Sequence, residues 1–262
     1  MNSQQADEKE IQPVDSQTEQ SAQEVPSADS EAADVQLDQD PVDYIKFMLE
    51  SKSTAKQTTF KHMEDAFSVL CHESKSVISE LDDQANPADD DVTLYFKKIS
   101  KHEFQLKLAG DVLIFVMHTN IVTFDDEHPV IKSQYVSGND VNRYFGQINI
   151  YNFMYDSLRY NRGHDQGYLI GRLMINHENR FFMEGEPQFV DKFGEISNGE
   201  ITHEDLQLVV KLSLKVAIRN DLIAPPYNKV RYVTLNQKND HAAAMGGGKK
   251  IGFRMSYEKP SE

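Results

Sequence analysis

The sequence predicts an α+β protein in which N-terminal helices pack on a twisted, mainly antiparallel sheet of about seven to nine strands. Apolar residues recur at helical spacing between residues 40 and 86. From residue 92 onward the pattern changes to short alternating segments, rich in β-branched and aromatic residues and separated by turn signals. Because several of these turns are too short for crossover helices, the strands are expected to run antiparallel.

Residues 1–39 are predicted to form a disordered acidic tail. Residues 1–40 hold eleven Asp or Glu residues against Lys9, which gives this stretch −10 of the chain's net charge of −15. The tail has no aromatic residue, so it cannot bury enough apolar surface to offset the entropy of ordering. Two roles stay open for it, a solubilising arm and a segment that docks a partner.

The composition favours a cytoplasmic protein. The first residues, MNSQQADEKE, lack the basic and apolar regions of a signal peptide. The longest wholly apolar run, Val112–Met117, is far shorter than the ~20 residues that a helix needs to cross a bilayer. Cys71 is the single cysteine, so no internal disulfide forms. Acidic residues outnumber basic ones, and we therefore expect neither a nucleic-acid nor a membrane partner.

Two helices are predicted between residues 40 and 86. Asp40 and Pro41 suit the cap and first position of a short apolar helix. A longer helix is predicted over 55–84, where apolar residues repeat at heptad spacing with one polar interruption at Ser74. This repeat is a candidate interaction seam for a partner helix or a second copy, and the alternative is packing on the protein's own sheet. The seam comprises Phe60, Met63, Phe67, Leu70, Val77 and Leu81.

Residues 92–262 are predicted to form the sheet domain with one covering helix, as one compact unit with 40–86. Asn86 and Pro87 end the helical segment. Residues 125–145 are polar and rich in turn formers, which indicates a loop. The predicted strands are Val92–Ile99, Glu103–Leu108, Val112–Phe124, Gly146–Tyr155, Tyr168–Ile175, Arg180–Met183, Lys229–Leu235 and Ile251–Tyr257.

The covering helix is predicted over residues 202–219, where two signals compete. Apolar residues alternate from Leu206 to Ile218, which is typical of a strand. Thr202 is a good N-cap, however, and acidic residues follow it in what would be the first helical turn. The segment is also long for a strand, so we predict a helix.

The stretch HAAAMGGGKKIGF, residues 241–253, superficially resembles a phosphate-binding loop. Such a loop requires Ser or Thr after the glycine–lysine pair and a helix after the loop. Here Gly248 and Lys249 are followed by Lys250 and then by a predicted strand. The stretch is therefore predicted to be a flexible hinge.

Other motifs give little support to catalysis or to a bound cofactor. The histidines show no metal-ligand spacing on a predicted element, and no nucleophile-elbow sequence is present. The acidic stretch Asp125–His128 lacks the spacing of a calcium loop and is interpreted as a solvated turn. We expect no metal, no cofactor and no assigned catalytic residue.

Two stretches carry an unusual mixture of polar and aromatic residues. One lies at 118–120, inside an otherwise apolar run, and the other spans 151–165. Aromatic walls with a few converging polar groups are typical of small-molecule pockets, and two arginines suit a carboxylate or phosphate. The alternative is that these polar groups satisfy one another. The candidate ligand-binding residues are His118, Asn120, Asn152, Asp156, Arg159, Arg162, His164 and Asp165.

The function predicted from the sequence is a non-enzymatic binding or regulatory module that acts through protein–protein contacts or self-association. The tail and the seam are features of interacting proteins. The alternative is a small-molecule-binding domain, or an enzyme, with a pocket around 151–165 and His118 or His164 as general base. A purely structural scaffold is the third hypothesis.

Overall fold

The computed structural model divides into two compact units, residues 1–47 and 48–262. It describes residues 40–223 except 86, 88, 90 and 91, together with 226–232, 234, 235, 249 and 250. The predicted tail at 1–39, the small-residue part of the predicted hinge at 241–248 and the predicted strand at 251–257 lie outside the described residues.

The helical segment begins where the sequence indicates. Helix α1, Pro41–Met48, starts after Asp40, whose side chain accepts a hydrogen bond from the Val42 amide at 2.8 Å. A π-helical turn, Leu49–Ser53, comes next, and helix α2 spans Thr54–Gln84. The predicted helix over 55–84 is therefore confirmed.

Six strands form one antiparallel sheet in which neighbours in the sheet are neighbours in the chain. The α+β class is confirmed, but the predicted count of seven to nine strands is too high. A separate ladder pairs β7, Leu222–Ile223, with β8, Lys249–Lys250. The six strands are β1 Leu94–Lys98, β2 Glu103–Leu108, β3 Asp111–Met117, β4 Gly146–Met154, β5 Tyr168–Ile175 and β6 Phe181–Gly185.

Two strand predictions were wrong for identifiable reasons. The apolar run at 112–124 stops being a strand at Met117, because the polar residues that follow end the apolar face. After this end the chain makes one isolated antiparallel bridge, between Val122 and Phe145, the residue just before β4. The alternation at 229–235 begins as a short helix, Tyr227–Val230, whose cap is Pro226. Alternation without a neighbouring strand to pair with does not specify a strand.

The ambiguous segment at 202–219 is a helix, α6, spanning His203–Arg219. A capping box decides its start: Thr202 Oγ1 accepts from the Asp205 amide at 3.1 Å, and the Asp205 carboxylate accepts from the Thr202 amide at 3.1 Å. The residues of the strand-like alternation do not share one environment. Leu214 is buried, Leu212 is half-buried and Ile218 is 63% exposed.

Helices α2 and α6 contact each other and cover one face of the sheet, and the main core lies beneath them. Gly146 allows α2 to approach β4 closely, because a Cβ atom at that position would lie 2.8 Å from Met63. The core strands contribute Phe104, Leu113 and Ile148 among other fully buried side chains. This burial is what fixes α2 on the sheet.

The candidate interaction seam belongs to this core. Met63, Phe67, Leu70 and Val77 are buried in it, while Phe60 and Leu81 are half-buried against it. The protein's own sheet and α6 therefore occupy the apolar stripe of α2. The packing alternative accounts for the heptad spacing, and the seam side chains are not free to meet a partner helix.

The opposite sheet face is covered in part by residues 118–145. This segment, predicted as a loop from 125, contains helix α3, Gln134–Ser137, and a 3₁₀ turn, Asp140–Arg143. A second, smaller core joins it to the sheet. The remaining helices are α4, Tyr155–Arg159, after β4, and α5, Pro187–Phe193, after β6. Across the described segments, no helix has both the length and the apolar character needed to span a bilayer.

Candidate functional site

A groove of about 550 Å³ lies on the sheet face opposite α2 and α6. We call it the basic groove. It lies between the first strands of the sheet and the segment that follows β4. Its lining residues are Tyr95, Lys97, Ile99, Gln105, Ile114, Phe153, Tyr155, Ser157, Leu158, Arg159, Asn161, Arg162, Gly163 and Asp165.

Strand register builds the floor of the basic groove. Lys97 on β1 lies opposite Gln105 on β2, and Gln105 lies opposite Ile114 on β3. These residues alternate with side chains such as Phe104, which is fully buried under α2. Because successive side chains of a strand point to opposite faces, Lys97 and Gln105 are placed on the groove side.

Helix α4 and the turn after it form the wall of the basic groove. The Arg162 amide donates to the Ser157 carbonyl at 2.8 Å, which folds the turn back onto α4. Ser157 Oγ donates to Asp165 Oδ2 at 2.6 Å and closes the loop. Asn161 has a φ of 49°, a left-handed conformation that asparagine tolerates better than most residues. This wall is therefore fixed by local hydrogen bonds.

An aromatic corner closes one end of the basic groove. The rings of Tyr95 and Tyr155 meet edge to face, with centroids 6.4 Å apart. The buried Lys107 places its Nζ 4.6 Å from the Tyr155 ring centroid and donates to the Thr93 carbonyl at 3.4 Å. Burial, followed by the neighbouring Tyr155, raises the pKa of Tyr95. Its hydroxyl therefore stays protonated, and able to donate a hydrogen bond, at neutral pH.

The basic groove carries an excess of positive charge in an acidic protein. Its lining, as far as the structure describes the chain, includes Lys97, Arg159 and Arg162 but a single carboxylate, that of Asp165. Both guanidinium groups lie near the exposed Tyr160 ring, at 5.3 Å for Arg159 and 5.0 Å for Arg162. Guanidinium groups bind carboxylate and phosphate through paired hydrogen bonds, so the arrangement favours an anion.

The predicted site residues at 156–165 divide between the basic groove and the solvent. Arg159, Arg162 and Asp165 line the groove. Asp156 and His164 are exposed and are not part of its lining. The structure therefore brings together the cationic half of the predicted cluster and leaves its histidine outside.

His118 and Asn120 are separated from the basic groove. They follow the end of β3 at which Met117 pairs with Ile148, whereas the groove wall follows the end at which Asp111 pairs with Met154. Six residues of strand correspond to about 20 Å. The His118 ring instead bonds the Asn120 amide, with Nδ1 3.2 Å from the backbone nitrogen. A single site that uses His118 together with 151–165 is therefore incorrect.

Asn152 lies on the wrong face of the sheet to contact a groove ligand. It is fully buried opposite Leu113, in the face covered by α2 and α6. Neither its amide nitrogen nor its amide oxygen has a hydrogen-bond partner among the described residues. The amide is thus a polar group enclosed by the apolar core.

Sequence reasoning missed the groove residues that come from β1 and β2. Tyr95 and Lys97 alternate with Phe96, which indicates an outward face, but nothing local shows which distant segment covers that face. The register of three strand pairs decides it. Register depends on core packing over the whole sheet, so a short window does not reveal it.

The acidic stretch at 125–128 is used for ion pairs within the chain. Asp126 pairs with Arg143, Glu127 pairs with Lys132, and His128 bonds Glu184. Across the described segments no group of three or more histidine, cysteine, aspartate or glutamate side chains could hold a metal ion. No family model, curated protein or solved structure matches this chain.

Proposed function

We propose that this protein is a binding module that holds a small anionic molecule in the basic groove. The main observation behind this proposal is that Lys97, Arg159 and Arg162 all line one groove that also has aromatic walls. Its volume of about 550 Å³ falls within the range of small-molecule sites. The apolar stripe of α2 packs in the protein's own core. Small-molecule binding therefore has more support than an interaction through the seam of α2.

The chemistry of the lining favours a ring that bears a phosphate or carboxylate group. The two guanidinium groups suit the anionic part, and the Tyr95–Tyr155 corner suits a flat apolar part. No histidine is among the lining residues of the described groove. The proposal is therefore one of binding without catalysis.

The test is a titration of the isotope-labelled full chain with phenyl phosphate, followed by amide chemical shifts. We expect shifts at residues 95–97 and 157–165. Replacing both arginines, Arg159→Gln with Arg162→Gln, should weaken binding about tenfold, because each exposed charge contact is worth up to about 1 kcal/mol.

The matched control is Lys215→Gln with Arg219→Gln, which removes two exposed positive charges from α6, outside the groove lining. It should bind phenyl phosphate as the unmodified chain does. Equal weakening in both double variants would mean that overall charge, and not the groove, attracts the anion. Absence of shifts at the groove amides would contradict the proposal.

A second candidate function is a protein-binding module that uses the open edge of β1. The Ala109 amide donates a hydrogen bond to the Thr93 carbonyl, and the Ile99 amide donates one to the Glu103 carbonyl. In this register the backbone groups of Leu94, Phe96 and Lys98 point away from β2. No other strand of the described residues pairs with β1, so this edge is a template for strand addition.

Self-association through this edge is tested by light scattering after size-exclusion chromatography. Lys98→Pro removes one outward amide donor, and Lys98→Gln is the control that removes the charge alone. A dimer that is lost only with proline supports strand addition. A monomer in all three proteins, or a dimer that proline leaves intact, contradicts it.

The proposal includes a cytoplasmic location. It is supported by Cys71, which is the single cysteine of the sequence and a free, half-buried thiol. A lone free thiol is compatible with a reducing compartment. Fractionation of the producing cells tests this location, and recovery of the protein outside the cytoplasmic fraction would contradict it.

A further inference from the structure

A second and larger cavity lies elsewhere on the same sheet face. Its volume is about 700 Å³, and it lies between residues 128–135 and the turn at 194–198, with Phe182 and Glu184 of β6 in its lining. We call it the acidic cavity. It shares no lining residue with the basic groove, so an inference about it is independent of the proposed function.

The charges that line the acidic cavity are opposite to those of the groove. Among the described residues that line it, the carboxylates are Glu184 and Glu195, and there is no lysine or arginine. Glu184 is already bonded by Arg172 and by His128, whose Nε2 lies 2.8 Å from Glu184 Oε1. Glu195 is exposed and has no ion-pair partner among the described residues. One carboxylate at the cavity is therefore not neutralised.

The walls of the acidic cavity are aromatic and held in place. The His128 ring stacks on Phe124 with centroids 4.0 Å apart, and Phe182 meets Phe145 edge to face at 5.3 Å. The Val130 amide lies 3.2 Å from His128 Nδ1, so both ring nitrogens of this histidine are engaged. The lining is therefore built before any ligand arrives.

Tyr135 is fixed at the cavity by a polar network. Its hydroxyl donates to Glu178 at 2.8 Å and accepts from the Asn176 amide group at 2.7 Å. Burial raises its pKa to about 12, so the hydroxyl is uncharged at neutral pH. By contrast, the side chains of Gln134 and Asn198 line the cavity without a hydrogen bond to a described residue. These two amides and Glu195 remain to bind a ligand.

We propose that the acidic cavity binds a small organic cation, an ammonium group carried on an apolar or aromatic frame. The aromatic lining accommodates the apolar or aromatic frame. Glu195 supplies the opposite charge, and the free amides of Gln134 and Asn198 accept or donate the remaining hydrogen bonds. The protein thus has two sites with opposite charge preference on one sheet face.

Three probes of similar size test the charge preference directly: phenethylammonium, 2-phenylethanol and phenylacetate. Each is titrated into the isotope-labelled full chain, and amide shifts at residues 128–135 and 194–198 are followed. Phenethylammonium should bind there most tightly and phenylacetate least. Equal or tighter binding of phenylacetate at these amides, or no shift with phenethylammonium, would overturn the proposal.

A pair of variants isolates the carboxylate. Glu195→Gln should weaken phenethylammonium binding about fivefold, because an exposed charge contact contributes about 1 kcal/mol. Glu200→Gln removes an exposed charge outside the cavity lining and should leave binding unchanged. Unchanged affinity in Glu195→Gln, or equal loss in both variants, would remove Glu195 from the site and overturn the proposal.

Discussion

Gly185 at the end of β6 has a backbone conformation that other residues rarely adopt. Its φ is +136°, and a Cβ atom there would lie 2.3 Å from the Ile170 carbonyl oxygen. Gly185→Ala should therefore lower the free energy of unfolding by about 2 kcal/mol or more. Urea unfolding measures this, with Gly199→Ala as the control because a Cβ atom at residue 199 would have nothing within 4 Å. Equal stability of both variants would contradict the strain argument.

Asn152 buries two unpaired polar atoms in the core. Asn152→Leu keeps the branching and the number of side-chain heavy atoms and removes these polar atoms, so it should raise the free energy of unfolding by about 1 kcal/mol. Asn149 is the control, because on the same strand its amide bonds Gln147 at 2.6 Å and Tyr151 at 3.2 Å. Asn149→Leu should destabilise. A loss of stability in Asn152→Leu would show that the amide has a partner.

At the scale of elements, α2 stabilises the sheet from within the same molecule. Leu70 is fully buried, so Leu70→Ala should lower the free energy of unfolding by about 3 kcal/mol. The exposed Leu169 provides the control, and Leu169→Ala should cost far less. Light scattering should give one molar mass for all three proteins. If Leu70→Ala instead changed the oligomeric state and left the stability unchanged, the hypothesis that α2 carries an interaction seam would be supported.

The turn between β5 and β6 makes stability depend on pH through His177. Its Nε2 bonds Asn142 Oδ1 at 2.8 Å, and burial lowers its pKa below the ordinary 6.5 against the opposing effect of Glu178. The unfolded chain therefore binds more protons than the folded one between the two pKa values. This contribution to stability is complete above pH 6.5 and is lost as the pH falls through that window.

Denaturant unfolding between pH 7.5 and pH 5 measures this dependence. His177→Gln should flatten the slope of stability against pH, whereas His164→Gln, at an exposed position, should leave it unchanged. A slope that is the same in all three proteins would contradict the assignment to His177.

Elements with strong local signals were predictable from the sequence, and elements that depend on partners were not. Thr202 and Asp205 determine where α6 starts, so a local capping signal outweighs an alternation of seven apolar residues. No comparable capping signal competes with the apolar alternation at 229–235, yet a short helix, Tyr227–Val230, forms there. A strand requires a neighbour to pair with, which a single segment does not show.

At the scale of the whole molecule, the fold decides which predicted site residues meet. Arg159, Arg162 and Asp165 are close in sequence, and one local turn keeps them together. Lys97 joins them from about 60 residues away through the register of the sheet. His118 is separated from them by the length of β3, which alternation alone did not reveal.

Native mass spectrometry of the gently purified full chain tests the central claim, anion binding in the basic groove, most directly. The unmodified chain and the Lys215→Gln, Arg219→Gln control should both retain an anionic adduct of small-molecule mass, or bind added phenyl phosphate one to one. The Arg159→Gln, Arg162→Gln variant should lose either adduct. An adduct that persists in this variant, or an unmodified chain that binds neither its own ligand nor phenyl phosphate, would contradict the account.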